Sequence, residues 1–214
     1  MLLVPDRMSG LHAEIVGPSA LPDLTAHWKG LSDRAVEDNV YYAPKYADAL
    51  LRNLDRHGRW QLALVWRGAT LAGLLPFVTR KIAAPLIEPA ARAWTTKYTF
   101  NCTPLLDRDC AVDAAAALLG LLEWVAPGEW SIPNLNIDGA ACRALTQALD
   151  RKGHPWKVAN RFQRATLGLD LGFEDHMHAR VGHSRRKELA RRRRRLEERG
   201  VVAHETHCFG AGLR

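Results

Sequence analysis

One segment leaves the chain little freedom: WQLALVWRGATLAGLLPFVTRKI, residues 60–82. Two apolar runs are separated only by Arg67-Gly68-Ala69. Runs bounded this closely pair as an antiparallel β-hairpin, because the break has room for a tight turn and little else. Gly68 supplies a backbone conformation that other residues avoid. Pro76, inside the second run, lacks an N–H for a ladder, which predicts that this strand lies at an edge or carries a bulge there.

The flanking segments alternate between the two periods. LHAEIV (11–16) reads as a first strand. Leu21, Leu24, Trp28 and Leu31 then recur at helical spacing. APKYADALLRNLDRHG has Pro44 near its start and Gly58 at its end, the usual helix asymmetry, with Tyr46, Leu50, Leu51 and Leu54 on its apolar side. Residues 84–110 read as irregular, punctuated by Pro85, Pro89 and Pro104. AVDAAAALLGLLEWV is a helix stopped by Pro127-Gly128. EWSIPNLNI reads as a strand, and DGAACRALTQALDRKG as a helix capped by Asp138 and ended by Gly153. WKVANRFQRATLGLDL reads as one or two strands, FEDHMHARV and SRRKELARRRRRLEERG as helices, and VVAHETHCF as the start of another strand. Interleaved α and β elements around a hairpin place the chain in the α/β or α+β class.

The 214 residues are 47% apolar, enough for a real core. Net charge is +7, and its location matters more than its size. Residues 180–200 hold ten Lys/Arg against three Asp/Glu, while the remainder holds twenty of each. The chain is thus a neutral globule bearing one basic element, unlike a generally basic nucleic-acid binder. Cys102, Cys110, Cys142 and Cys208 form no C-x-x-C pair, which excludes a zinc ribbon or thioredoxin motif, and their thiols read as structural. Pro5, Asp6 and Arg7 interrupt the N-terminus before an apolar stretch of signal length develops. The apolar run AAAALLGLL (114–122) is too short to span a bilayer. A cytoplasmic, reduced setting is expected.

Within the basic element, Ser184 suits an N-cap and Gly200 a C′ position. Val181, Leu189 and Leu196 would share one face, with the Arg192 methylenes laid over apolar surface between them. Glu197 and Glu198 are spaced to pair with Arg193, Arg194 and Arg195. Arg191, Arg193, Arg194 and Arg195 therefore belong either to a solvated helix face or to a surface for phosphate, on a nucleotide or a nucleic acid. No aromatic residue is interleaved with them. His176, His178 and His183 read as surface histidines. His204, His207 and Cys208 tempt a metal reading, but His204 and His207 are three apart, not in H-E-x-x-H spacing, and on a strand they would face opposite ways. No metal is expected. TTKYTFNCTP (95–104) could present donors to a substrate, with Tyr41 and Tyr42 beside it; Tyr42, Lys97, Tyr98 and Asn101 are the candidate substrate contacts. The chain has no G-x-x-x-x-G-K-[ST], G-x-G-x-x-G or G-x-S-x-G motif, and the closing HCFGAGLR lacks the flanks of a pyrophosphate loop.

Five segments, in order, carry a resemblance: NVYYAPKYADALL, LALVWRGATLAGLLPFVTRK, FNCTPLLD, LNIDGAACRALTQAL and HSRRKELARRRRRLEERGVV. Together the chain resembles the CelD-like acetyltransferases of the GNAT superfamily, named for an association with cellulose biosynthesis and similar to the Fem-type peptidyltransferases. The resemblance implies a GNAT-like mixed, largely antiparallel sheet flanked by helices. Residues 1–180 would form one such domain, and 181–214 the basic helix and first strand of a second, incomplete one, as though truncated. It implies acetyl transfer from acetyl-CoA to an amine or hydroxyl, on a small-molecule or saccharide-precursor acceptor. Acetyl-CoA would be held mainly by the second half, so its site would be incomplete here, and neither the catalytic base nor the donor-binding residues can be named. No membrane span or nucleic-acid partner is implied, and an unfinished sheet would favour self-association. The rival is a non-enzymatic nucleic-acid-binding or interaction module built on Arg191–Arg195.

Overall fold

A computed structural model of the chain describes residues 3–5, 10–54, 60–80, 89–164 and 172–203. These divide into two compact units, one within residues 1–158 and the other within 159–214. The first is a mixed α/β structure with a largely antiparallel sheet flanked by helices. Its elements are β1 (Leu3–Pro5), β2 (Leu11–Val16), α1 (Leu21–Arg34), α2 (Pro44–Leu54), β3 (Trp60–Arg67), β4 (Thr70–Arg80), β5 (Ala90–Ala93), β6 (Leu105–Leu106), α3 (Ala111–Val125), β7 (Trp130–Ser131) and α4 (Ala140–Lys152). The strand order is β1-β2-β3-β4-β5-β7, with β6 also paired to β4. All pairings are antiparallel except β5 with β7.

The hairpin is the spine of this sheet. Arg67 pairs with Thr70 across Gly68-Ala69, and Gly68 takes φ +60°, which a two-residue turn with glycine first requires. Leu62–Val65 and Leu71, Ala72, Leu74 and Leu75 are all at most 2% exposed. Burial at consecutive positions means that both faces of the strands are covered, and α1 and α3 are among the elements that pack on β4. Gly73 makes room for the Val65 side chain of β3, since a Cβ there would lie 3.1 Å from Val65 Cβ.

Pro76 corrects one expectation. β4 is central, not an edge, and the register shift falls between Val65 and Trp66 rather than at the proline. Pro76 sits where β4 changes partner, between Leu74, paired with β6, and Phe77, paired with β5. Its carbonyl accepts from Trp94 N–H at 2.8 Å, and the missing N–H falls in the gap. On the side of β6, the Ala72 carbonyl accepts from Asp107 N–H at 2.8 Å.

Other differences follow from tertiary partners. The stretch expected to be irregular contains β5 and β6, which exist because β4 offers its edge to them. The strand expected over EWSIPNLNI is only Trp130–Ser131. Residues 154–164 form no strand and are almost wholly exposed. Asp138 does not cap α4: Gly139 is its N-cap, and the Glu37 carboxylate, from the α1–α2 connection, accepts from Ala141 N–H at 3.2 Å. Gly153 ends α4 at φ +68° as the sequence requires. On α2 the buried residues are Ala47 and Leu51, while Tyr46 and Leu50 are half-buried and Leu54 is exposed. Gly58 lies outside the described residues.

The second unit holds α5 (Phe173–Arg180) and α6 (His183–Glu197). Gly182, not Ser184, is the N-cap of α6, and Glu198 is its C-cap, with Gly200 two residues beyond. Val181 ends α5 and is not part of α6. No residue of α6 is buried: Leu189 and Leu196 are 40% and 57% exposed. Residues 201–203 are not in a strand, and the rest of the expected strand, with His204, His207, Cys208 and the G-x-G, lies outside the described residues. Among the described residues no helix is long and apolar enough to cross a membrane.

Candidate functional site

Two loops of the first unit meet around one buried side chain, Asn39. Its Nδ2 donates to the Thr103 carbonyl at 2.7 Å and to the Asn101 carbonyl at 3.3 Å. Its Oδ1 accepts from Tyr41 N–H at 3.0 Å and so starts the 3₁₀ turn Val40–Tyr42. A 3₁₀ turn separates neighbouring side chains by about 120°. Tyr41 and Tyr42 therefore part company.

Tyr42 goes inward. It is fully buried, its OH donates to the Trp94 carbonyl at 2.8 Å, and its own carbonyl accepts from Trp28 Nε1 at 2.7 Å. Burial, reinforced by Cys102, pushes its phenol well above the usual range. As a core residue with its hydroxyl engaged, Tyr42 is removed from substrate contact, and Tyr41 takes the outward place.

Tyr41 meets Tyr46 of α2 edge to face at 5.4 Å and Phe100 at 5.9 Å between ring centroids. Tyr46 OH donates to the Tyr98 carbonyl at 2.9 Å, tying α2 to the β5–β6 loop. Lys97 Nζ stands 5.0 Å from the Tyr98 ring centroid. The loop is shaped locally by Thr96 Oγ1, which accepts from Tyr98 N–H, and by Asn101 Oδ1, which accepts from Thr103 N–H. Asn101 thus works within the loop's own turn. Val40, Tyr98 and Phe100 remain 63%, 45% and 54% exposed. The structure brings Lys97 and Tyr98 together with Tyr41, Tyr46 and Phe100, and buries Tyr42 behind them. Sequence reading placed Tyr46 in the core and passed over Phe100 and Asn39. The aromatic density of VYYAPKY and KYTF was the available signal.

A second polar knot lies at the end of α1. Asp107, fully buried, accepts from Arg34 Nε at 3.1 Å and, through its other oxygen, from Asp109 N–H at 3.1 Å. Arg34 also donates to the Gly30 and Leu71 carbonyls. Arg67 Nη2 stands 3.9 Å from the same Asp107 oxygen as Arg34, and this knot joins α1 to β4 and β6. Cys110 and Cys142 carry free thiols that burial pushes above the ordinary value, the opposite of activation. Among the described residues no group of three or more His, Cys, Asp or Glu could hold a metal ion.

The basic helix spends part of its charge internally. Glu188 accepts from Arg191 Nη2 at 2.7 Å and Arg192 Nε at 2.8 Å, and Glu197 accepts from Arg193 Nε at 2.9 Å. The hydrogen bonds from Arg192, then Arg191, hold the Glu188 carboxyl below its ordinary value. Arg192 thus turns to Glu188 rather than lying over apolar surface. Arg194 and Arg195 have no ion-pair partner among the described residues, and the expected pairing of Glu198 with them is not formed.

Acetyl-CoA carries a pyrophosphate, which suits a free helix N-terminus or a nest of backbone N–H groups. In the first unit the start of α4 is filled by the Glu37 carboxylate. α1 and α3 carry Asp23 and Asp113 in their first turns, and Pro44 removes one of the free N–H groups at the start of α2. A shallow crevice lined by Phe77, Ala91, Ala93, Leu122 and Trp130 does not enclose a ligand. The starts of α1, α3 and α4 do not fit the pyrophosphate, since each already carries a carboxylate.

No protein-family model matches the chain, and no curated protein matches its sequence. Several solved structures are similar, among them the following three. A GCN5-related N-acetyltransferase from Ralstonia eutropha JMP134 is 13% identical, with a TM-score of 0.39 over 74% of this chain and 99% of that one. A ribosomal-protein-alanine N-acetyltransferase from Brucella melitensis biovar Abortus 2308 is 12% identical, with a TM-score of 0.40 over 74% and 99%. The aminoglycoside acetyltransferase meta-AAC0020 from an uncultured soil metagenomic sample, in complex with sisomicin, is 12% identical, with a TM-score of 0.40 over 73% and 97%. Likenesses this distant assign no activity, acceptor or donor to the chain.

Proposed function

We propose that the chain serves acyl transfer, from acetyl-CoA to an amine or hydroxyl acceptor, as a CelD-like member of the GNAT superfamily acting on a precursor of a polysaccharide. One observation carries the reading. The segments on which the resemblance rests fall, in order, on the 3₁₀ turn and α2, the β3–β4 hairpin, the approach to β6, α4, and α6. The sheet they build is mixed and largely antiparallel, as the resemblance implies. In this reading the first unit presents the acceptor side. Lys97 and Tyr98 stand at its surface, Asn101 shapes the loop beneath them, and Tyr42 holds the turn from the core. The donor site is not drawn from the starts of α1, α3 or α4, where a carboxylate already stands.

The test is transfer of a labelled acetyl group from acetyl-CoA to a panel of amine- and hydroxyl-bearing acceptors by the folded full chain. Label on an acceptor, diminished by Phe100→Ala, is the expected result. No transfer at millimolar donor and acceptor overturns acyl transfer as the activity of this chain and returns the field to an interaction module.

A further inference from the structure

One helix holds the charge excess of the chain, and the proposed function gives it no role. Residues 159–214 carry thirteen Lys/Arg and seven Asp/Glu. Of these, α6 alone holds eight and two, and the rest of the unit holds five of each. Carboxylates elsewhere in the unit therefore do not offset the helix. Within α6, Glu188 and Glu197 are taken up by Arg191, Arg192 and Arg193. Arg186 turns to the Met177 carbonyl and His178 Nδ1 of α5. Arg185, Lys187, Arg194 and Arg195 are all exposed, and among the described residues none of them makes a hydrogen bond or ion pair.

These cations surround the helix. An α-helix turns by about 100° per residue. Lys187, Arg191 and Arg194 fall on one side, Arg185 and Arg192 on the opposite side, and Arg193 and Arg195 between them. No residue of α6 is buried, so among the described residues no face is set aside for packing. Each kind of polyanion asks for a different distribution. A helix lying on a bilayer separates its basic face from its apolar face. Here Arg185 and Arg192 share the side of Leu189 and Leu196. A flat acidic protein surface would meet one side and leave the opposite cations in solvent. A nucleic-acid groove has phosphates along both walls. The B-DNA major groove, about 12 Å wide, admits an α-helix of about 10–12 Å diameter, whereas the A-form RNA major groove is deep and narrow. Seven of the eight cations are arginine, whose planar fork takes a phosphate through two N–H groups.

We infer that α6 enters the major groove of duplex DNA and is held there by phosphates on both walls. Phosphate contacts position a protein without reading sequence, so the binding is sequence-general. It is independent of acyl transfer.

The test is fluorescence anisotropy of a labelled, mixed-sequence DNA duplex of about 20 base pairs, titrated with the full chain over a series of salt concentrations. The comparisons are an RNA duplex of the same sequence, polyglutamate and phosphatidylserine vesicles. The DNA should bind with a Kd of roughly 1–100 μM at physiological salt. Log K should fall with log salt at a slope of about −3.6 or steeper, about −0.9 for each cation left unpaired. Arg194→Gln/Arg195→Gln should weaken binding by about tenfold or more and flatten the slope by about 2. Both side chains are exposed, so this variant should keep its fold, which circular dichroism checks. Lys29→Gln/Lys45→Gln removes the same charge from exposed positions of the first unit and should change neither quantity. RNA, polyglutamate and vesicles should each bind more weakly than DNA.

Absence of DNA binding at about 100 μM protein in physiological salt would overturn the inference, as would a slope shallower than about −2. Equal loss through Lys29→Gln/Lys45→Gln would also overturn it, by reducing the effect to net charge. Polyglutamate or vesicles binding as tightly as DNA would make the partner an acidic protein or a membrane surface instead. Tighter binding of the RNA duplex would refute the groove assigned.

Discussion

Asn39→Ala is the most informative single change, because one buried amide joins the two halves of the candidate site. The substitution removes bonds of 2.7 and 3.3 Å to the Thr103 and Asn101 carbonyls and of 3.0 Å from Tyr41 N–H. Each buried group left without a partner costs about 1–3 kcal/mol. Asn39 is 4% exposed and Thr103 fully buried, so water reaches these groups only if the loop moves. Partial relaxation brings the expected loss to about 2–4 kcal/mol. For a chain of this size that lowers Tm by about 5–15 °C. Urea titration followed by far-ultraviolet circular dichroism measures it. Asn39→Asp sharpens the test. It keeps the acceptor for Tyr41 N–H but turns a carboxylate oxygen toward two carbonyl oxygens. With no cationic side chain bonded to position 39 among the described residues, the new carboxyl would have a folded pKa above its unfolded value of about 3.9. Its charged form therefore destabilises the fold at neutral pH, and stability returns as pH falls through the raised value, where the acid donates again. At pH 7 Asp should be at least as damaging as Ala. A loss below about 0.5 kcal/mol for Ala, or Asp better tolerated than Ala at pH 7, would refute the role given to this amide.

Two further changes probe the scaffold. Gly73→Ala puts a Cβ 3.1 Å from Val65 Cβ, an overpacking expected to cost about 1–3 kcal/mol in a urea titration; unchanged stability would mean that Val65 of β3 has room to give way. Glu188, its carboxyl lowered by Arg192 and Arg191, contributes helix stability above its unfolded pKa of about 4.3 and loses it as pH falls through the lower folded value. Wild type and Glu188→Gln should therefore differ in thermal helix signal at pH 7 and converge in acid, and the difference should shrink in high salt. Equal melting at pH 7 would show that these exposed pairs add nothing.

The hairpin, the helices 21–34, 44–54, 111–125 and 140–152, and the basic helix were legible in the residues, because each is set by local signals. Gly68 and Gly153 adopt the positive φ their positions demand, and Pro44 opens α2. The site was half legible. Aromatic density pointed to the two loops, but adjacent Tyr41 and Tyr42 look alike in sequence, and a 3₁₀ turn sends one out and the other into the core. The amide that caused this, Asn39, reaches 64 residues ahead to Thr103, beyond any local pattern.

The sequence by itself thus determined where the chain turns and which stretches coil, since those choices depend on φ preferences and on neighbours within a few residues. Only the tertiary structure decided what those stretches meet. Glu37, rather than Asp138, satisfies the start of α4. Pro76 is tolerated in a central strand because β4 changes partners at that point. Trp156, Val158 and Phe162 lie in residues 154–164, which were patterned as a strand and form none. The reason is common to all three. A hydrogen bond in a sheet or at a helix start needs a partner at the right place, and that place is set by packing between residues far apart in the chain.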